Sequence, residues 1–113
     1  MIDASSAVMT LTLVRRADLD PDAFRTHWQD VHGPLVRRLA ADLGIRRYVQ
    51  LHAADAERWD GLALVQFESR EDLERRLLTP AGRSAAREIR ADEGRFLDTS
   101  RTLVAWVRAE TIF

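Results

Sequence analysis

The predicted strands of this chain are apolar at both odd and even positions, and this pattern limits the folds that it can adopt. Residues 8–14 read Val-Met-Thr-Leu-Thr-Leu-Val, and residues 62–67 read Leu-Ala-Leu-Val-Gln-Phe. Successive side chains of a strand point to opposite faces of the sheet, so a strand with one face in water alternates apolar and polar residues. Because neither segment alternates, we expect a sheet that is covered on both faces.

The predicted elements follow the order β-α-β-β-α-β over a single domain of residues 1–113. This order is typical of a ferredoxin-like α+β fold, in which a four-stranded antiparallel sheet carries the helices on one face. In a monomer the other face would lie in water, so a partner chain that supplies a second sheet is the simplest way to cover it. We therefore expect a homodimer, with residues 1–7 as a flexible tail.

Proline and glycine residues mark the ends of the predicted helices. Asp20-Pro21 predicts the start of a helix that ends at Gly44, because aspartate caps a first turn and proline suits the first helical position. Gly33-Pro34 lies inside this helix, and we expect a kink or short break there because proline removes a backbone hydrogen bond. A later helix starts at Thr79-Pro80 and is expected to end near Arg90.

Composition and charge exclude several classes of protein. The basic residues are 17 arginines, with no lysine, against 18 acidic residues, so no basic field exists to bind nucleic acid or an anionic membrane. Apolar stretches are far shorter than the roughly 18 residues of a membrane span, and we expect a cytoplasmic protein. Without cysteine there is no disulfide, thiol nucleophile or cysteine-ligated metal.

The residues left for acid–base chemistry are the histidines, the carboxylates and one tyrosine. His27 and His32 lie about 140° apart on an α-helix, whereas two ligands of one metal ion need a common helix face. The glycines form neither a GxGxxG motif nor a P-loop. We therefore expect neither a catalytic metal nor one of the usual cradles for a dinucleotide or a phosphate group.

Several motifs together resemble the signature of the EthD family, which belongs to the dimeric α/β barrel superfamily. The main motif is Phe24-x3-Trp28-x3-His32-Gly33-Pro34-Leu35. The similarity runs from Leu11 to Val107, nearly the whole chain. The supporting matches, in chain order, are Arg47-Tyr48-Val49-Gln50-Leu51-His52, Trp59-Asp60-Gly61, Thr79-Pro80-Ala81-Gly82 and Arg95-Phe96-Leu97-Asp98.

The resemblance implies a pocket for a small hydrophobic molecule and chemistry without a cofactor. Family members include proteins of ethyl tert-butyl ether degradation, a methylmuconolactone isomerase, and dehydratase- or decarboxylase-like proteins of polyketide pathways. Relatives in the wider superfamily include polyketide cyclases and cofactor-independent monooxygenases. Our hypothesis is a cyclase, isomerase or dehydratase/lyase acting on a polyketide-like or aromatic-degradation intermediate. A cofactor-free monooxygenase and a non-enzymatic binding protein are the alternatives.

His32, His27 and Asp60 are the candidate catalytic residues. His32 lies on the apolar stripe of the first helix, where it is either a pocket acid or base, or a core histidine that binds a loose carbonyl. His27 lies at the edge of this stripe and is either a half-exposed packing residue or a catalytic one. Asp60 is either a turn residue or, by its match to the family motif, a pocket residue.

The candidate substrate-binding residues are polar side chains on strands and aromatic rings. Tyr48, Gln50 and His52 share one strand face, which lines a wet pocket, meets a partner chain or forms an exposed edge. The aromatic rings are core residues that can also form a pocket wall. The full set is Phe24, Trp28, Tyr48, Gln50, His52, Gln66, Phe96 and Trp106.

Overall fold

The computed structural model describes residues 7–55 and 57–113 of the chain. In this part of the chain, four strands form one antiparallel sheet: β1 (Ala7–Leu13), β2 (Ile45–His52), β3 (Gly61–Phe67) and β4 (Leu103–Val107). Their order across the sheet is β2-β3-β1-β4, which is the predicted ferredoxin-like arrangement. Of the expected tail, residues 1–6 lie outside the described residues, and Ala7 begins β1 instead of ending the tail.

The first helical region is continuous over residues 21–43, so of the expected kink or short break at Gly33-Pro34 the break is wrong, and the structure shows a π-helical turn before these residues. It consists of α1 (Pro21–His27), a π-helical turn (Trp28–His32) and α2 (Gly33–Leu43). Gly44 follows α2 with a left-handed φ of 70°, a conformation that glycine adopts without strain.

The π-helical turn accommodates the irregularity that Pro34 imposes. Proline has no N–H and cannot donate the usual helical hydrogen bond. The N–H of Gly33 donates to the carbonyl of Trp28, five residues earlier, which is the bond that defines a π-helix. The same carbonyl also accepts a hydrogen bond from Nε2 of Gln50 at 2.8 Å. The helix therefore widens at this point, and β2 stabilises the widened turn.

The second helical region contains α3 (Arg70–Arg76) and α4 (Pro80–Phe96), which Ser69 and Thr79 cap through their side chains. The last helix runs to Phe96, past the predicted end near Arg90. Because residues four apart share a helix face, the longer helix aligns Asp92 with Phe96.

A β-bulge near the start of β2 changes which side chains face the helices. The pairing of β2 with β3 shifts between Ile45 and Arg47, so Arg46 is the extra residue. Side chains of odd and even positions normally point to opposite faces. The bulge allows both Ile45 and Tyr48 to face the helices, although three positions separate them.

The core lies between the sheet and the helices. In the described part of the chain one cluster of buried residues contains Phe24, Trp28 and Phe96, and another contains Leu39 and Ala85. The ring of Phe24 lies 5.6 Å, between centroids, from the rings of both Trp28 and Phe96. These contacts attach both helical regions to one side of the sheet.

The other side of the sheet, which we call the open face, carries apolar side chains that a single chain leaves in contact with solvent. Leu51, Leu103 and Val107 are 47%, 68% and 40% exposed. Leu62 pairs with Leu51 across the β2–β3 ladder and shares this face. Large exposed apolar patches on soluble proteins mark interaction surfaces. The open face therefore matches the expectation of strands that are apolar on both faces.

The close contact between Gly61 and the ring of Trp28 can be tested. A methyl group at Gly61 would overlap the six-membered part of the Trp28 ring, whereas one at Gly94 would meet no described atom within 4 Å. We expect Gly61→Ala to lower the free energy of unfolding by about 1–3 kcal/mol, the usual effect of overpacking. The control, Gly94→Ala, should raise it by about 0.5–1 kcal/mol, because alanine favours a helix interior. Urea unfolding followed by circular dichroism measures both, and an unchanged Gly61→Ala midpoint would contradict the close contact.

Candidate functional site

A cavity of about 220 Å³ lies between the helix-facing side of the sheet and the helices. Most of its wall is apolar, as in the binding sites of small hydrophobic molecules. An apolar cavity of about 150 Å³ binds benzene, so this one has room for a single substituted ring. The polar and aromatic side chains that line it are Trp28, His32, Tyr48, Arg90, Glu93 and Phe96.

The carboxylate of Asp92 joins α4 to the first helical region. Asp92 is only 3% exposed, and its Oδ2 accepts a hydrogen bond from Nδ1 of His32 at 2.8 Å. Oδ1 accepts one from Nε2 of His27 at 3.0 Å and one from Nη1 of Arg95 at 3.3 Å. Because a carboxylate only accepts hydrogen bonds, both histidine nitrogens carry their hydrogens. Asp92 therefore orients His32 and selects its tautomer.

The π-helical turn brings the two histidines to the same carboxylate. On an α-helix, residues five apart differ by about 140° around the axis, which would separate His27 from His32. In a π-helix the hydrogen bond spans five residues instead of four, so residues five apart lie closer to one face of the helix than they do in an α-helix. The turn Trp28–His32 lies between the two rings. Both rings therefore point to one side and reach Asp92.

His32 presents a free base to the cavity at neutral pH. Burial lowers the pKa of His32, with a further decrease from the charge of His27, and these effects exceed the increase from Asp92. Burial alone would raise the pKa of Asp92, but the hydrogen bonds from His32 and His27 hold it below its ordinary value. Nε2 of His32 has no hydrogen-bond partner among the described residues. An unprotonated Nε2 at a cavity wall is what a general base requires.

The hydroxyl group of Tyr48, on β2, is a hydrogen-bond donor among the side chains that line the cavity. Its oxygen accepts hydrogen bonds from Nε1 of Trp28 at 3.0 Å and from Nε2 of Gln50 at 3.3 Å. These bonds leave the hydrogen of the hydroxyl group available to a bound molecule. Burial raises the pKa of Tyr48, as does the charge of Glu93, against the two hydrogen bonds that lower it. The phenol therefore stays protonated at neutral pH.

Asp92 and Glu93 are site residues that sequence reasoning missed. Asp92-Glu93-Gly94 reads as the end of a helix, since these residue types are common in turns. Burial raises the pKa of Glu93, as does nearby Asp92, while Arg90 lowers it. The sequence carried one signal that the helix continues through Asp92 and Glu93. This signal is the apolar spacing of Ala85, Ile89 and Phe96.

The structure brings four of the sequence candidates to the cavity wall, and others lie directly behind it. The ring of Phe24 packs against the rings of Trp28 and Phe96. His27 donates a hydrogen bond to Asp92. Gln50 and His52 continue the polar row of β2 away from Tyr48, and Oε1 of Gln50 is 3.1 Å from Nε2 of His52. The four candidates at the wall are Trp28, His32, Tyr48 and Phe96.

Three sequence candidates lie outside the cavity. Both carboxylate oxygens of Asp60 bind Arg15, Oδ1 to Nη1 at 2.5 Å and Oδ2 to the backbone N–H at 2.8 Å, so Asp60 connects two loops. Gln66 points to the open face, because its neighbours in β3 face the helices. Trp106 lies on the edge strand β4 and packs on Phe67 with their ring centroids 5.6 Å apart. We do not propose a catalytic or substrate-binding role for these residues.

The described residues contain no group of three or more His, Cys, Asp or Glu side chains placed to hold a metal ion. His27 and His32 point to a common carboxylate and not to a common open position. In residues 7–55 and 57–113, no helix is both long enough and apolar enough to cross a bilayer.

Comparisons with known proteins relate most of the chain to one family. The model of the EthD domain family matches residues 16–100. A decarboxylase from Claviceps purpurea is 25% identical over 118 aligned positions, which cover 88% of this chain and 82% of that protein.

Solved structures share the fold at low sequence identity. An EthD family protein from Bacillus halodurans has a TM-score of 0.60 and 18% identity, with 94% of this chain and 99% of the other covered. A cofactor-independent oxygenase from Streptomyces nogalater has a TM-score of 0.61 and 14% identity, with 96% and 98% covered. A dimeric ferredoxin-like protein from Bacteroides fragilis has a TM-score of 0.59 and 15% identity, with 95% and 97% covered. These similarities confirm the predicted ferredoxin-like fold.

The raised pKa of Glu93 predicts a stability effect that depends on pH. As the pH rises above about 4.3, the unfolded chain releases the proton of Glu93 before the folded protein does, so ionisation favours unfolding. Glu93→Gln removes this ionisation and should raise the melting temperature at pH 7. The gain should disappear as the pH falls below about 4.

Thermal unfolding at several pH values measures this difference. The control is Glu74→Gln, a change at an exposed glutamate of α3, which should leave the melting temperature unchanged. A Glu93→Gln protein that is less stable than the wild type at pH 7 would contradict an unpaired carboxyl group at the cavity wall.

Proposed function

The chain belongs to the EthD family, and we propose that it is an enzyme that performs acid–base chemistry on a small hydrophobic carbonyl compound without a cofactor. The observation that carries the proposal is Nε2 of His32, which faces an apolar cavity while Nδ1 is held by Asp92. Polyketide-like or aromatic-degradation intermediates suit this site, because they combine an apolar ring with hydrogens made acidic by a carbonyl group.

In the proposed reaction His32 is the general base and Tyr48 stabilises the negative charge. Nε2 of His32 takes a proton from the carbon next to the substrate carbonyl, and the electron pair of that C–H bond moves onto the carbonyl oxygen. Tyr48 donates a hydrogen bond to this oxygen, which becomes stronger as charge develops. Asp92 stabilises the imidazolium that forms on His32.

The resulting enolate has several outcomes that need no other reagent. It takes the proton back from His32 at a different carbon in an isomerisation, expels a hydroxyl group as water with that proton in a dehydration, or attacks a second carbonyl in a cyclisation. Loss of carbon dioxide from a 3-keto acid leaves the same kind of enolate. The similarity to the decarboxylase from Claviceps purpurea supports this group of reactions.

Cofactor-free oxygenation is the second candidate function. The fold similarity to the oxygenase from Streptomyces nogalater supports it. Such a reaction also starts with deprotonation of the substrate, after which the carbanion transfers electrons to dioxygen. Consumption of oxygen in the presence of electron-rich phenols would distinguish it from isomerisation, dehydration and cyclisation.

The role of His32 can be tested with hydrogen exchange from phenylacetone, an enolisable ketone with a single ring. In D2O the protein should catalyse the exchange of its α-hydrogens, which proton NMR follows. His32→Gln should lower the exchange rate by about 10²–10⁴-fold, the usual contribution of a positioned base, with ketone affinity changed much less. Because burial lowers the pKa of His32, the wild-type rate should fall only below about pH 6.5.

A matched control for this variant is His27→Gln, because His27 binds Asp92 and does not line the cavity. We expect this variant to keep most of the exchange rate. A His32→Gln protein with a lower melting temperature and a normal rate per folded molecule would make His32 a structural residue. In that case Tyr48 and its neighbours on β2 would be the remaining candidates.

We further propose that two chains pair through the open face. The dimeric ferredoxin-like protein from Bacteroides fragilis supports this arrangement. The exposed apolar side chains of Leu51, Leu103 and Val107 would then lie against a second sheet. Obligate interfaces of this kind commonly bury more than about 2,000 Å² in total.

Light scattering at micromolar concentration measures the mass of the protein in solution and so tests the proposed dimer. The wild type should show twice the mass of the 12.9 kDa chain. Leu51→Arg combined with Leu103→Arg should produce monomers, because it places charges on opposite edges of the open face. The control is Leu78→Arg, at an exposed leucine between α3 and α4, which should leave the dimer intact. A monomeric wild type with normal circular dichroism would contradict the proposal.

A further inference from the structure

A second, more open groove lies beside the cavity, between α2 and the start of β2. It has a volume of about 550 Å³, and we call it the arginine groove because Arg37, Arg46 and Arg47 line it. Neither aspartate nor glutamate is among its described lining residues. The groove is therefore a local concentration of positive charge on a chain whose net charge is −1.

The arginines of the groove are available to a ligand. The side chains of Arg37, Arg46 and Arg47 form neither a hydrogen bond nor an ion pair with any described residue. Arg38, next to Arg37 on α2, instead pairs with Glu88 at 3.1 Å. Arginine presents a planar set of donors that binds carboxylate or phosphate oxygens in pairs.

The β-bulge of β2 contributes to this arrangement. Adjacent residues of a regular strand point to opposite faces of a sheet, which would separate Arg46 from Arg47. Arg46, the extra residue of the bulge, interrupts this alternation at the edge of the sheet, and both Arg46 and Arg47 line the groove. Bulges of this kind often redirect side chains next to binding sites.

The groove and the cavity share three of their lining residues. Val36, Ile45 and Tyr48 line both of them. The cavity of about 220 Å³ has room for a single substituted ring, so any longer part of a bound molecule must leave it. Next to Tyr48, the groove offers such a part a positively charged surface.

We propose that the arginine groove binds an anionic group of the substrate, a carboxylate or a phosphate ester, while the ring of the substrate lies in the cavity. The substrate would then be amphipathic, with one apolar ring and an anionic end joined by a short chain that passes Tyr48. This inference rests on the proposed function in one respect, which is that the bound molecule is the substrate of the enzyme. The charge preference of the groove itself can be measured by binding alone.

The test compares three probes that differ only in their end group: 5-phenylpentanoate, its primary amide and 5-phenylpentyl phosphate. Titration calorimetry at low salt should show that one or both anions bind the wild type at least about tenfold more tightly than the amide does. Tighter binding of the carboxylate assigns the group to a carboxylic acid, and tighter binding of the phosphate assigns it to a phosphate ester.

The preference should disappear when Arg37→Gln, Arg46→Gln and Arg47→Gln are combined, with circular dichroism to show that this variant folds. Arg38→Gln is the matched control, and it should keep the full preference. Equal binding of the amide and both anions to the wild type would overturn the proposal. A preference that survives the triple substitution would also overturn it.

The same probes separate this inference from the role of His32. His32→Gln should keep the preference for the anions, because His32 does not line the groove. Exchange of phenylacetone without any charge preference would overturn the groove proposal alone. A charge preference without exchange would overturn the proposed chemistry alone.

Discussion

The hydrogen bonds of the buried Asp92 carboxylate are the interaction on which the rest of the site depends. They connect α4 to the first helical region through His32 at 2.8 Å and His27 at 3.0 Å. A buried charge that loses its partner typically costs about 3–5 kcal/mol, so the helices must pack in the one arrangement that supplies these partners. This arrangement requires α4 to extend to Phe96 and the helix to widen at residues 28–32.

Burial shifts the pKa values of the acid–base groups of the cavity in opposite directions, because it disfavours the charged form of each group. It lowers the pKa of His32 and raises that of Tyr48 and Glu93. One apolar enclosure therefore holds a neutral base and a protonated donor at the same pH. Trp28 connects the two, since it begins the turn that carries His32 and donates its indole N–H to Tyr48.

The sheet separates the site from the surface that we propose for the partner chain. Its helix-facing side forms the floor of the cavity, while its open face has apolar residues that remain exposed in one chain. The edge strand β2 contributes to both, with Tyr48 at the cavity and Leu51 on the open face. The bulge at Arg46 brings Ile45 to the same side as Tyr48, because it changes the face of every residue that follows it relative to Ile45.

The sequence by itself predicted the order of the elements, the helix starts and a set of candidate site residues, of which His32, Trp28, Tyr48 and Phe96 line the cavity. These features depend on local backbone chemistry, on apolar spacing and on motifs, all of which can be read along the chain. Only the tertiary structure decided that the helix at Gly33-Pro34 widens instead of breaking, and that an acidic segment resembling a loop is helical and supplies the partner of His32. The physical reason is that hydrogen bonds and burial between residues about 60 positions apart override the local preferences of both segments, and no local pattern encodes that contact.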